Sequence, residues 1–153
     1  MTLCFSTLPA ERADLQDLMA MIYALAAFEG ISDQVKISPS QLADALFSNT
    51  PKAYALIAET EEKAVGYILL VPCLYAKRNQ SKLLIEDLYV DAACRSHGVG
   101  KHLMQAAADF ARDNGYYKLE WIVYDWNQRA KDFYEKLGAE FGAWTTCQFR
   151  FKP

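Results

Sequence analysis

A chain of 153 residues fits one domain, spanning 1–153, and is long enough to bury roughly two-thirds of its unfolded surface. Its 52% hydrophobic and 23% charged residues exclude a disordered or fibrous chain, and a net charge of −3 with no basic run beyond Lys77-Arg78 argues against a nucleic-acid partner. The longest uncharged apolar stretches, 18–28 and 65–76, fall short of the ~20 residues that a membrane-spanning helix needs, so no membrane partner is expected.

Residues 3–5 read as a short first strand, followed by Pro9 and a long helix over about 10–29. Leu15, Leu18, Met19, Ile22, Leu25 and Ala26 recur at helical spacing and form its buried face, and Gly30 ends it. Glu11, Arg12, Asp14 and Asp17 precede the apolar run where a secretory signal would be basic, so the expected location is cytoplasmic. Ser38, Pro39 and Gln41 form an N-cap, a first-turn proline and a capping box for a second helix through Phe47. Residues 54–59 and 65–74 are apolar strands joined by the charged turn Glu61-Glu62-Lys63, and 82–90 is the next strand. A helix over 99–114, a strand over 119–124, a helix over 127–137 closed by Gly138, and a last strand over 145–151 complete the chain. Strands grouped around a central βαβ crossover imply a mixed α/β fold. Cys4, Cys73, Cys94 and Cys147 are widely separated and lack metal-ligand spacing, so free thiols and no metal are expected.

The most specific chemistry lies where the strand ending at Val90 runs into Arg95-Ser96-His97-Gly98-Val99-Gly100-Lys101. Gly98 and Gly100 let backbone amides approach a ligand, Arg95 and Lys101 add positive charge, and a helix N-terminus points at the same spot, which suits a phosphate or pyrophosphate. Two other phosphate loops are excluded by spacing. A dinucleotide fingerprint needs glycine where Leu103 stands, and a Walker loop needs glycine at Arg95 and Ser or Thr at His102. Upstream, Glu86 and Asp87 are adjacent on a strand, so alternation sends their side chains to opposite faces. Either is a candidate base or a strand-end carboxylate bonded to backbone. Glu29 closes the first helix, where the dipole disfavours an anion, which hints at a cationic partner.

The Arg95-to-Gly100 turn resembles the pyrophosphate loop of the GNAT superfamily of N-acetyltransferases, whose pattern is Arg or Gln, two residues, Gly, one residue, Gly or Ala. Glu86-Asp87-Leu88-Tyr89-Val90, Asp125-Trp126-Asn127-Gln128-Arg129-Ala130 and Phe133-Tyr134-Glu135-Lys136-Leu137-Gly138-Ala139 follow in the family's order. With Leu25-Ala26-Ala27-Phe28-Glu29 and Ser32-Asp33-Gln34-Val35-Lys36-Ile37 they are similar to the diamine acetyltransferase branch, and within it to the thialysine N-epsilon-acetyltransferase type. The resemblance implies the acyl-CoA N-acyltransferase fold, a mixed, mostly antiparallel twisted sheet flanked by helices. It implies acetyl-CoA as cosubstrate, with the backbone of Leu88, Tyr89 and Val90 on the pantetheine arm and Ser96, His97 and Val99 within the phosphate loop. By the same resemblance Asn127 contacts the coenzyme, Tyr134 protonates the leaving thiolate, Glu86 acts as base, and Asp87 and Glu29 bind the amine. Lys131 and Lys136 are candidates for the coenzyme's nucleotide end, although solvated helix faces also account for them.

These assignments describe acetyl transfer to a small-molecule primary amine, such as thialysine or a short diamine, by direct attack in a ternary complex. Polyamine acetylation, protein N-acetylation and a non-catalytic acyl-CoA-binding module are the alternatives. Polyamine acetylators carry an acidic residue and a tryptophan where Ala76 and Arg78 stand, so two positive charges, Lys77 and Arg78, are expected to oppose a long polycation. The diamine branch also implies a homodimer, with the aromatic segment 144–151 as the element that pairs between subunits.

Overall fold

The computed structural model describes residues 3–151. Five strands form one sheet in the order β1 (Ser6–Pro9), β2 (Tyr54–Glu59), β3 (Ala64–Tyr75), β4 (Gln80–Val90) and β5 (Leu119–Trp121). The first four are an antiparallel meander, and β5 returns parallel to β4 after a helical crossover. Helices α1 (Leu15–Phe28) and α2 (Pro39–Phe47) lie in the long connection between β1 and β2. Helix α3 (Val99–Asp113) makes the crossover, and α4 (Gln128–Lys136) follows β5. This is the mixed, mostly antiparallel architecture that the sequence predicts.

Strand alternation divides the core into two layers. Ala55, Ile57 and Tyr67 pack with Leu18, Met19 and Met21 of α1 and Leu42 and Leu46 of α2. On the other face Gly66 meets α3: a β-carbon there would lie 3.2 Å from Leu103 Cδ1 and 2.7 Å from the Tyr89 carbonyl oxygen. Glycine is required at this position because the helix and the neighbouring strand leave no room for a methyl group. Val99, Leu103, Met104, Ala107 and Ala111 give α3 one continuous buried stripe.

Several boundaries differ from the sequence reading. The first strand is Ser6–Pro9 rather than 3–5, paired to Leu56–Glu59, because the edge tolerates Pro9 while Phe5 turns its ring edge-on to His102 at 5.0 Å. The long first helix begins only at Leu15. Ahead of it Arg12–Asp14 form a 3-10 turn, with the Glu11 amide donating to Asp14 Oδ2 at 2.7 Å. The capping box at Ser38 and Gln41 forms as expected, at 2.9 and 3.2 Å. The strand expected over 145–151 is absent: residues 142–151 carry no regular structure, and Trp144, Phe149 and Phe151 are 93%, 91% and 88% exposed. β-favouring side chains are present there, but without a partner edge they form no ladder.

The chain divides into two compact units, 1–122 and 123–153. The first holds the sheet, α1, α2 and α3; the second holds α4 and the exposed segment after it. Among the described residues no helix is long and apolar enough to cross a membrane.

Candidate functional site

The site is built where the β3–β4–β5 ladder breaks. Strand β5 pairs with β4 only at Leu83, Leu84 and Ile85, so among the described residues no strand pairs with the outer edge of β4 from Glu86 to Val90. At the same point the β3–β4 register shifts: Leu70 faces Ile85 and Leu69 faces Asp87, which leaves Glu86 as the extra residue of a bulge. A free backbone edge is a template for any amide-bearing chain that lies along it. Leu88, Tyr89 and Val90 occupy this edge. The Val90 carbonyl is already claimed by Arg95, whose Nε donates to it at 2.9 Å.

The bulge lies at the pair of carboxylates. Asp87 lines the cleft and Glu86 does not, as strand alternation expects, yet Glu29, at the C-terminal end of α1, feels the charge of both, and Asp87 that of Glu86. The three form one acidic cluster. Asp87 and Glu29 line a cleft of about 240 Å³ with Ile22, Leu25, Ala26, Ile31, Gln34 and Val35, whose walls are otherwise mostly aliphatic. Burial, followed by the Asp87 and Glu86 charges, pushes the Glu29 carboxyl above its ordinary value. Burial also raises Asp87, opposed by a hydrogen bond from Tyr67 and reinforced by Glu86. A carboxyl raised in the folded state binds more protons there than in the unfolded chain. Stability is therefore lost as pH climbs from the ordinary carboxylate range through the raised values. A cation in the cleft would offset that loss.

Beyond β4, Asp91 caps a short 3-10 turn at Ala92–Cys94, and the chain then enters the glycine turn. Ser96 (φ 67°) and Gly98 (φ 88°) both adopt left-handed conformations, and Gly98 is the N-cap of α3 with Val99 and Gly100 in its first turn. A helix N-terminus entered through such a turn offers unpaired backbone amides and the positive end of the helix dipole, which suits an anion. Gly98 tolerates this φ because it lacks a β-carbon. Both histidines are tied back to the turn, His97 Nδ1 to the Arg95 carbonyl at 2.9 Å and His102 Nδ1 to that of Gly98 at 3.0 Å. Lys101 is exposed. The Arg95 guanidinium also lies 5.5 Å from the Phe28 ring centroid, beside Glu29.

In the second unit Asn127 is the N-cap of α4, its Oδ1 accepting from the Ala130 amide at 3.1 Å, while its side-chain nitrogen makes no hydrogen bond to a described residue. Tyr134 lies on the same helix, half-buried, and burial pushes its phenol up to about 12, so it keeps its proton at neutral pH. Lys136 is exposed in the last turn. Lys131 is bound instead to Asp125, through its carbonyl at 2.9 Å and its carboxylate at 3.3 Å.

The structure therefore gathers Glu29, Glu86 and Asp87, and separates them from Ala76, Lys77 and Arg78. That turn joins β3 to β4 six rungs beyond the Leu69–Asp87 pair, about 20 Å along the strands, and Arg78 lies over the Tyr117 ring at 4.4 Å. None of the three lines the cleft. Sequence reasoning missed Tyr67 and the aliphatic wall. The one signal was a phenol among wholly apolar neighbours in β3.

The model of the acetyltransferase (GNAT) family matches residues 19–139. The chain is 34% identical over 139 residues to the thialysine N-epsilon-acetyltransferase of Bos taurus, covering 86% of this chain and 81% of that one. It is 37% identical over 84 residues to the L-ornithine N5-acetyltransferase NATA1 of Arabidopsis thaliana, covering 54% and 37%. The crystal structure of the aminoglycoside acetyltransferase meta-AAC0020, from an uncultured soil metagenomic sample, shares the fold with a TM-score of 0.80 at 21% identity, over 97% of this chain and 96% of that one. The family match begins in α1 and runs past α4, through the β4 edge, the glycine turn and the carboxylate cleft, and the chain belongs to the GNAT family of N-acetyltransferases.

Proposed function

We propose that this enzyme transfers the acetyl group of acetyl-CoA to a primary amine of a small molecule, thialysine-like or a short diamine, by direct attack in a ternary complex. The observation that carries the reading is the cleft in which Glu29 and Asp87 stand over aliphatic walls. An ammonium held by carboxylates with an alkyl chain against Ile22, Leu25, Ile31 and Val35 matches it in charge and polarity. Lys77 and Arg78 stand at the far end of the β3–β4 hairpin and outside the cleft, so the preference for a short amine rests on the Glu29 and Asp87 carboxylates and the aliphatic wall rather than on repulsion from that turn. Resemblance and the thialysine and ornithine acetyltransferase relatives point the same way.

In this reading the stretch Leu88, Tyr89 and Val90 pairs with the amides of the pantetheine arm through those backbone groups that neither β3 nor Arg95 holds, and the turn from Arg95 to Lys101 takes the pyrophosphate. Asn127 offers its unused side-chain nitrogen to the coenzyme, and Lys136 its charge. An aliphatic ammonium with a pKa near ~10 must lose a proton before it attacks, and Glu86, exposed at the bulge beside the cleft, takes it directly or through water. The amine nitrogen then bonds to the thioester carbonyl carbon. As the C–S bond breaks, the departing sulfur receives the Tyr134 proton, and the second proton of the attacking nitrogen passes to solvent, from which the Tyr134 phenolate is reprotonated. The four cysteines are free, which accords with a reducing, cytoplasmic setting. A second copy of the chain is the proposed cover for the exposed aromatic side chains of residues 144–151.

A panel of thialysine, ornithine, short diamines, spermidine, spermine and a peptide N-terminus, assayed for CoA release with the acetylated product identified by mass, tests the substrate class. The short amines are expected to give the highest kcat/KM, and preference for spermine or the peptide would overturn the reading. Tyr134→Phe keeps the ring and removes the proton donor, so kcat should fall ~10²-fold with coenzyme affinity retained. Parent-like turnover at saturating substrate would remove Tyr134 from the mechanism. Light scattering at micromolar concentration should give twice the chain mass; a monomer would refute the dimer.

A further inference from the structure

Tyr67 is the largest side chain buried to below 2% exposure, and its ring belongs to the layer formed with α1 and α2. Phenylalanine would fill that volume without burying a hydroxyl, which is costly unless it finds a partner. The partner here is Asp87. Tyr67 sits opposite Tyr89 in the β3–β4 register, with ring centroids 6.3 Å apart, and Asp87 is two residues from Tyr89 on β4. That is the diagonal position across a strand pair, within reach of a long side chain. The Tyr67 hydroxyl donates to Asp87 Oδ2 at 2.8 Å, and Oδ1 accepts no hydrogen bond from a described residue. Burial and the neighbouring carboxylates push the Tyr67 phenol far above its ordinary range, so it acts as a donor at every working pH.

We propose that Tyr67 is a positioning residue for amine recognition: from the core it fixes the Asp87 carboxylate through Oδ2 and leaves Oδ1 for the substrate ammonium. The inference rests on reading the cleft as the amine site. Charged and titratable groups face Asp87 from three elements: Glu29 from the end of α1, Glu86 from its own strand, and Tyr67 from β3, with Tyr89 beside Tyr67. Burial disfavours ionisation of Asp87, the Glu86 charge adds to this, and the Tyr67 hydrogen bond opposes both. Loss of that bond frees the carboxylate to rotate and raises its pKa further, so less of it is ionised when the amine arrives.

The test is steady-state kinetics of Tyr67→Phe in the full chain, with whichever panel amine turns over fastest. KM for the amine should rise ~10-fold, with kcat and KM for acetyl-CoA within about twofold of the parent. The acidic limb of kcat/KM for the amine should move up by about one pH unit. In an Asp87→Asn background the same change should have no further effect on KM, as a double-mutant cycle requires of a residue acting only through Asp87. An unchanged KM and acidic limb in Tyr67→Phe, while Asp87→Asn raises KM, would overturn this proposal alone. An unchanged KM in Asp87→Asn would overturn the amine-site reading beneath it. If the phenylalanine variant does not fold, 3-fluorotyrosine at position 67 serves instead. It keeps the ring and is a stronger donor, so the acidic limb should move down, and an unmoved limb would overturn the proposal.

Discussion

The functional architecture depends on one break in one strand. Parallel pairing between β4 and β5 stops at Ile85, and the extra residue Glu86 enters the antiparallel ladder with β3 at the next position. Had both ladders continued, the backbone of Leu88 to Val90 would be paired within the sheet. The break leaves that edge without a strand partner among the described residues and sets Glu86 and Asp87 within electrostatic range of Glu29. In the proposed mechanism donor and acceptor sites are neighbours along about five residues of one strand, which would bring the thioester to the amine without a separate positioning device.

The surrounding core is arranged to hold this irregular segment. Gly66 on β3 lets Leu103 of α3 and the Tyr89 carbonyl approach closely, which fixes β4 against the helix that carries the glycine turn. Tyr67, the next residue, faces the other layer and reaches Asp87. Consecutive residues of one central strand therefore brace the packing against α3 and the carboxylate cleft. The cost is electrostatic: Glu29 and Asp87 are raised above their ordinary values, mainly by burial and further by neighbouring carboxylates, so their ionisation costs stability as pH rises through the raised values. Carboxyls perturbed in this way cluster at functional sites.

Much of this was legible in the sequence wherever local chemistry decides the outcome. The Ser38 and Gln41 box, the glycine entry to α3 and the position of Glu29 at the end of α1 all follow from residue type and spacing. What was not legible depends on register. Nothing in Ile85-Glu86-Asp87-Leu88 announces a bulge, while alternation does anticipate that Asp87 lines the cleft and Glu86 does not. The length of the β3–β4 hairpin, set by pairing out to Tyr75 and Gln80, carried Arg78 away from the cleft. The same limit explains 145–151, where β-favouring composition was read as a strand although strand formation requires a partner. Tyr67 was hidden for the opposite reason, since a tyrosine in an apolar strand reads as core, and here it is core that also reaches the site.

The central claim is that the β4 edge beyond Ile85 binds the coenzyme by strand-like pairing. Amide hydrogen exchange followed by NMR, in the free protein and with saturating CoA, tests it most directly. The account expects slowed exchange at backbone amides within 86–90 that do not face β3, together with protection in the turn around Gly98–Gly100, and little change in β1 and β2. Tight CoA binding with exchange unchanged across 86–90 would contradict it.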